Sequence, residues 1–542
     1  MRTRPSPRTS GPRRAHRIRG ARPRATARLT ATLLAAAALL VSACSPGNPA
    51  ASADRTVQAA LAALPRTTPA ALTPYYSQRL RWRECGVPGF ECATMKAPLD
   101  YASPDAGTVR LAVARKKATG TAGRLGSLLV NPGGPGGSAV DYLQQYAGLG
   151  YPARIRARYD MVAMDPRGVA RSEPVKCLDG RQMDAYAQTD MTPDDQRERD
   201  ALVTADRRFA ESCGAHSARL LRHVSTVEAA RDMDILRSVL GDRRLNYVGA
   251  SYGTFLGATY AGLFPERVGR MVLDGAMDPS VDARRLNLDQ TAGFETAFKA
   301  FAKDCVRRTD CPLGGRGAAP ARVGDRLRAF FRELDARPLR SGDADGRRLG
   351  EALATTGVIA AMYDEGTWAQ LREALTSAIK ERNGAGLLAL ADTYYERDPD
   401  GHYSNLMMAN AAVNCLDLPS AFSGPEEVEK ALPAFEKASP VFGPGLAWAS
   451  LNCAYWPVRA TGEPHRIEAE GAAPIVVVGT VRDPATPYRW ARSLAGQLSS
   501  ARLLTYAGDG HTAYGRGSGC IDTAIDTYLL RGTPPPPGKR CS

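Results

Sequence analysis

The chain has 542 residues, 44% of them hydrophobic and 23% charged, which excludes a disordered or fibrous polymer and leaves apolar content for a large core. Its formal charge of +15 would suit a nucleic-acid binder, but the first 28 residues carry ten Arg and no acid. Taking those ten from the 71 Lys and Arg leaves 61 against 56 Asp and Glu, so the body is nearly balanced and no nucleic-acid partner is expected.

The Arg-rich start runs into the apolar stretch 33–41, too short for a permanent bilayer span and read as part of a secretory signal over 1–43. The stretch ends in Val41-Ser42-Ala43-Cys44, which resembles a lipobox, where a Cys thiol takes up lipid and becomes the new N-terminus. Cys44 is therefore the expected membrane anchor; cleavage after Ala43 with release of a soluble protein is the alternative. Residues 44–75 follow as anchor and flexible tether, rich in Ser, Pro, Gly, Asn and Ala over 45–60.

Short apolar or alternating runs at 109–114, 127–130, 161–164, 246–249, 270–273, 475–478 and 502–506 are predicted strands. Helical patterns separate them, the signature of a mostly parallel sheet with helices on both faces. Between 279 and 470 the strand rhythm stops and helical periodicity takes over, for example at 295–306, 322–334 and 368–380. An insertion of that size is most simply a mainly helical cap over the carboxyl ends of the strands, where such sheets bind ligands. The core is accordingly divided into 76–278 and 471–542, and the Pro-rich stretch 533–538 is an extended tail held near Cys541.

Eleven cysteines occur, and setting Cys44 aside leaves ten. In an exported chain this even number favours disulfides, and sequence neighbours would pair as Cys85–Cys92, Cys177–Cys213, Cys305–Cys311, Cys415–Cys453 and Cys520–Cys541. Spacing alone leaves other pairings open. No Cys-x-x-Cys and no pair of His four apart is present, so no metal is expected.

The strand at 246–249 runs into Gly249-Ala250-Ser251-Tyr252-Gly253 and then a helical pattern, placing Ser251 at the apex of a tight strand-to-helix turn as a candidate nucleophile. After the apolar strand at 475–478, Asp483 stands in the turn Asp483-Pro484-Ala485-Thr486-Pro487, suited to orient an imidazole. His511, in Gly508-Asp509-Gly510-His511, follows the last predicted strand and is the candidate base. The order nucleophile, acid, histidine is that of a strand-end triad. Asn131-Pro132-Gly133-Gly134-Pro135-Gly136-Gly137 follows another strand, and its bare amides, Gly134 foremost, would join the Tyr252 amide in an oxyanion hole. A phosphate cradle is the competing reading, but no Gly-Lys-Ser/Thr follows the loop.

Together with Asp165-Pro166-Arg167-Gly168 and Leu273-Asp274-Gly275, these motifs resemble the secreted tripeptidyl aminopeptidases of actinobacteria, α/β-hydrolases of peptidase family S33 related to prolyl aminopeptidases. The resemblance covers most of 80–542 and implies an α/β-hydrolase fold, Ser251, Asp483 and His511 as triad, and release of short N-terminal peptides with no cofactor. The loop has Pro132 where prolyl aminopeptidases usually show His. A substrate with a free N-terminus calls for a carboxylate to pair with its ammonium. Asp364, Glu365, Glu396 and Asp417 are the cap candidates, with Asp417, beside Cys415, favoured. A carboxylesterase or lipase would use the same triad, and an adhesion protein on a degenerate hydrolase fold would have no physical reason to keep it.

Overall fold

The computed structural model describes residues 58–120 and 123–542; the expected signal, Cys44 and the start of the expected tether lie outside the described residues. Among these residues ten strands form one sheet: β1 (Arg83–Glu84), β2 (Glu91–Pro98), β3 (Thr108–Lys116), β4 (Gly126–Asn131), β5 (Tyr159–Met164), β6 (Leu245–Ala250), β7 (Val268–Asp274), β10 (Ile475–Arg482), β11 (Ala501–Asp509) and β12 (Arg540–Cys541). A separate hairpin, β8 (Leu339–Arg340) with β9 (Arg348–Leu349), lies within the insertion. The sheet order is β1-β2-β3-β5-β4-β6-β7-β10-β11-β12, antiparallel from β1 to β5 and parallel from there on.

All seven predicted strands are present. The longest one missed is β2, whose Cys, Ala, Met and Lys carry little strand preference of their own and are held by an eight-residue register against β3. Alternation across the central strands feeds two cores. Leu129, Val162, Tyr247, Leu273 and Val477 pack on one face, and Leu128, Val130, Met161, Val248, Val272, Val476 and Val478 on the other. The chain steps back from β4 to β5 and then passes β4 to reach β6, so the strand order reverses at β4, the kind of point at which such sheets bind ligands beyond the carboxyl ends of their strands.

The insertion over 279–470 builds a core of its own from Phe298, Phe301, Leu327, Phe331, Val358, Leu371 and Leu387. Its boundaries differ from the sequence division in two ways. Part of the first core segment belongs with the cap: Leu202, from the helix Gln196–Leu221, packs with Phe422, Phe435 and Trp448, and Asp184 accepts from Arg397 Nε at 2.8 Å and from the Tyr403 hydroxyl at 2.6 Å. Conversely, the helix Leu406–Asp417 buries Met408, Ala411, Ala412, Val413 and Leu416 in the main core. Both exchanges join segments some 200 residues apart, beyond the reach of local periodicity.

The tether also ends earlier than 75. Ala60 forms a β-bridge with Arg466, the Leu61 amide donates to the Arg466 carbonyl, Leu72 is buried and the Tyr76 hydroxyl donates to Asp234. The five disulfides join the sequence neighbours as expected, and Cys520–Cys541 fastens the Pro-rich tail, with β12 paired on β11. Among the described residues no helix is long and apolar enough to cross a membrane. Five disulfides fit an oxidising, extracytoplasmic compartment.

Candidate active site

Ser251 stands between β6 and the helix Tyr252–Leu263 at φ 56° and ψ −126°, a conformation L-residues avoid. Packing imposes it. The helix starts so close to the strand that a Cβ on Gly249 would lie 2.3 Å from the Gly253 carbonyl, and one on Gly253 would lie 2.9 Å from that of Asn131. The Ser251 amide donates to the Asp274 carbonyl at 2.9 Å, tying the turn to the end of β7.

Asp483 and His511 meet at the ends of β10 and β11. His511 Nδ1 lies 2.9 and 3.1 Å from the two Asp483 oxygens. Nδ1 carries the shared proton in that contact, which leaves Nε2 as the basic nitrogen. Asp483 is 2% exposed and also accepts from the amides of Ala485, Thr486 and Thr512, so its charge is solvated by backbone dipoles in place of water. His511 Cε1 would be 3.3 Å from a Cβ on Gly275, the residue after Asp274, which brings the ring to the strand end that holds Ser251.

Asp274 is a second buried carboxylate here. It accepts from the Ala513 amide at 3.1 Å and from the Tyr514 amide at 2.8 Å, anchoring the chain just beyond His511. Burial pushes its carboxyl up to about 6, against the pull of those amides. The cap holds the histidine loop from the other side: the His511 amide donates to the Tyr363 carbonyl at 2.8 Å, and the Tyr363 ring meets the imidazole edge-on. Thr486 Oγ1 lies 3.4 Å from His511 Nδ1. Sequence reasoning passed over Asp274, Tyr363 and Thr486, although Leu273-Asp274-Gly275 and Asp483-Pro-Ala-Thr-Pro were visible as motifs.

The glycine loop after β4 faces the serine turn. A Cβ on Gly133 would sit 2.5 Å from the Ala250 carbonyl and 2.9 Å from both Ser251 Cβ and the Tyr252 nitrogen, so only glycine fits. The Gly133 amide is used by Asn131 Oδ1, whereas among the described residues no hydrogen bond takes the Gly134 or Tyr252 amide. The far end of the loop is held by Asp165, which accepts from Ser138 Oγ and the Val140 amide, both at 2.9 Å. Arg167, of the same motif, is fully buried in a two-pronged pair with Asp232 and donates to the carbonyls of Pro98, Leu99 and His223.

Asp417 is placed otherwise than the sequence reading had it. Its Oδ1 accepts from the Thr226 amide at 2.8 Å and its Oδ2 from Thr226 Oγ1 at 2.5 Å. Both oxygens are thus engaged at the start of the helix Thr226–Val239, where a carboxylate satisfies free amides. Burial pushes the Asp417 carboxyl up to about 7. Of the other cap acids, Asp364 and Glu365 share Arg516 Nη2 at 2.8 and 2.6 Å, next to the His511 loop, and Glu396 receives the Ser404 hydroxyl. Among the described residues Asp100, His223 and Glu228 bring three metal-type ligand atoms within 4.8 Å of one another, with the Arg167 guanidinium 3.5 Å from Glu228 already supplying positive charge.

Residues 126–356 match the alpha/beta hydrolase fold family and residues 439–541 the family described as TAP-like protein. The first match holds the glycine loop and Ser251, the second Asp483 and His511. The chain is 38% identical over 492 residues to serine protease Hip1 of Mycobacterium tuberculosis, covering 86% of this chain and 92% of that protein. It belongs to the α/β-hydrolase family. Carboxylesterase B of the same organism is 38% identical over 456 residues, covering 83% and 86%. The tripeptidyl aminopeptidase of Streptomyces lividans is 32% identical over 472 residues, covering 83% of this α/β-hydrolase and 84% of its own length.

Proposed function

We propose that this α/β-hydrolase is an exported serine peptidase that removes short peptides from free N-termini. The observation that carries the reading is the convergence of Ser251, the His511–Asp483 pair and two unengaged amides at the carboxyl ends of neighbouring parallel strands. Ser251 Oγ attacks the scissile carbonyl while His511 Nε2 takes its proton. The Tyr252 and Gly134 amides receive the developing oxyanion, and His511 protonates the leaving amine before water releases the acyl group. No step calls for a cofactor. The names serine protease and tripeptidyl aminopeptidase, carried by relatives that align over most of the chain, support peptide substrates.

The substrate ammonium is assigned to Asp364 and Glu365, two carboxylates facing a single guanidinium, since Asp417 is taken up by Thr226. In the same reading the 1–43 segment directs export and Cys44 carries a lipid that holds the enzyme at the outer face of the membrane. The carboxylesterase name of an equally similar relative favours ester hydrolysis as the second reading.

Chromogenic tripeptide anilides with free and acetylated N-termini, simple esters and a Ser251→Ala control separate the two. Turnover confined to free-amine tripeptides and lost in the control supports the peptidase. Ester turnover indifferent to a free amine supports the esterase. Asp364→Asn with Glu365→Gln should raise KM for free-amine substrates only.

A further inference from the structure

The helix Leu406–Asp417 belongs by sequence to the cap, yet it touches both sides of the candidate oxyanion hole. Near its start, Asn410 Nδ2 donates to the Pro135 carbonyl at 3.1 Å, in the loop that presents the Gly134 amide. The contact is intimate: a Cβ on Gly136 would lie 2.4 Å from the Leu406 carbonyl and 3.1 Å from the Asn410 nitrogen. At its end, Asp417 holds Thr226, whose hydroxyl lies 2.5 Å from the Tyr252 hydroxyl, and Tyr252 supplies the other amide. Asn410 and Asp417 are seven residues apart, about two helical turns, and so share one face.

The helix is itself fixed at both ends. Asn405, just before it, accepts from the Ala170 amide and donates to the Gly168 carbonyl, each at 2.8 Å. At the other end Cys415 is bridged to Cys453, and the Thr461 and Gly462 amides donate to the Leu416 carbonyl. The hydroxyl chain has a consistent polarity: Tyr252 donates to Thr226 and Thr226 to Asp417, which fixes the buried Tyr252 ring at the far end from its amide.

We propose that the helix Leu406–Asp417 is a clamp that positions the oxyanion hole, Asn410 setting the glycine loop and Asp417, through Thr226, setting Tyr252. This rests on the reading of Ser251 as nucleophile. Asn410, Thr226 and Asp417 are positioning residues, and Asp417 acts on catalysis through the transition state in place of the substrate ammonium. The physical basis is that donor amides stabilise an oxyanion only at hydrogen-bond distance from where its charge develops, so a loosened support costs rate and leaves ground-state binding intact.

The test compares the full-length mature enzyme with Thr226→Val, Thr226→Ser, Tyr252→Phe and Asn410→Ala. The readouts are kcat and KM on a tripeptide anilide, Ki for the corresponding tripeptide aldehyde, melting temperature and labelling by a fluorophosphonate. Thr226→Val, Tyr252→Phe and Asn410→Ala should each lower kcat about tenfold and raise the aldehyde Ki by the same factor, with KM within about twofold of the parent. Thr226→Ser, which keeps the hydroxyl, should restore kcat. Folded variants with parental kcat, or a loss confined to KM, would overturn the clamp. If Thr226→Val does not fold, Tyr252→Phe, which deletes one hydroxyl, decides by the same criteria. A parent enzyme that fluorophosphonate leaves unlabelled overturns the nucleophile reading and the clamp with it. A labelled parent whose variants are unchanged overturns the clamp alone.

Discussion

Replacing Asp274 by Asn tests the electrostatic account of the site through stability. The carboxyl is buried and its folded pKa stands at about 6 against an ordinary 3.8. A carboxyl raised by folding contributes stability that is complete below the unfolded value and is lost as pH rises through the folded one. The two-unit shift corresponds to about 3 kcal/mol, lost between roughly pH 4 and pH 7. Asn at this position has no such loss. Its amide nitrogen would instead face the Ala513 N–H, an unmet donor contact costing about 1–3 kcal/mol at any pH. The stability advantage of the parent over Asp274→Asn should therefore shrink by about 3 kcal/mol from pH 4 to pH 8. Urea unfolding of both proteins, disulfides intact, followed by tryptophan fluorescence at pH 4, 6 and 8, reads that difference directly. Asp206 and Asp417, also pushed up to about 7 by burial, give both proteins the same further decline and cancel in the comparison. Parallel pH curves for parent and variant would refute the reasoning.

Gly133→Ala places a methyl against the Ala250 carbonyl and Ser251 Cβ at φ 95°, and kcat/KM should fall about a hundredfold or more; a variant with parental kinetics would show that the loop and the serine turn are not packed as described. Arg167→Met strips a fully buried Asp232 of its guanidinium, leaving it the Tyr101 hydroxyl, and should cost about 3–5 kcal/mol, visible as a large drop in melting temperature, whereas an unchanged melting temperature would show that Asp232 is not buried as an ion. Removing Cys177–Cys213, which closes 36 residues, should cost about 4 kcal/mol, and removing Cys305–Cys311, which closes 6, about 2 kcal/mol. Equal losses in denaturant titrations of the paired Ala variants would contradict the loop-closure argument.

What was legible in the sequence was whatever a local stretch of backbone must satisfy by itself. A serine at positive φ between a strand and a closely packed helix needs glycine two residues to either side, so Gly249 and Gly253, set between a strand pattern and a helical one, made the turn readable. Buried parallel strands must be apolar along their length, which made six of them readable; β3, antiparallel to both neighbours, showed instead by its alternation, and the pause in the strand rhythm marked the cap. Cysteines close in sequence could be paired, since short loops meet at little entropic cost.

Only the tertiary structure decided which distant segments meet. Asp417 looked like a free acid in a cap because nothing near it in sequence reveals Thr226, 191 positions away. Asp274 reads as the end of a strand until the chain beyond His511 returns to lay two amides on it. The sequence thus determined the chemistry available at each strand end. Packing determined which carboxylate faces the histidine, which anchors the chain beyond it and which holds Thr226, because a buried carboxylate takes its role from the donors the fold brings to it.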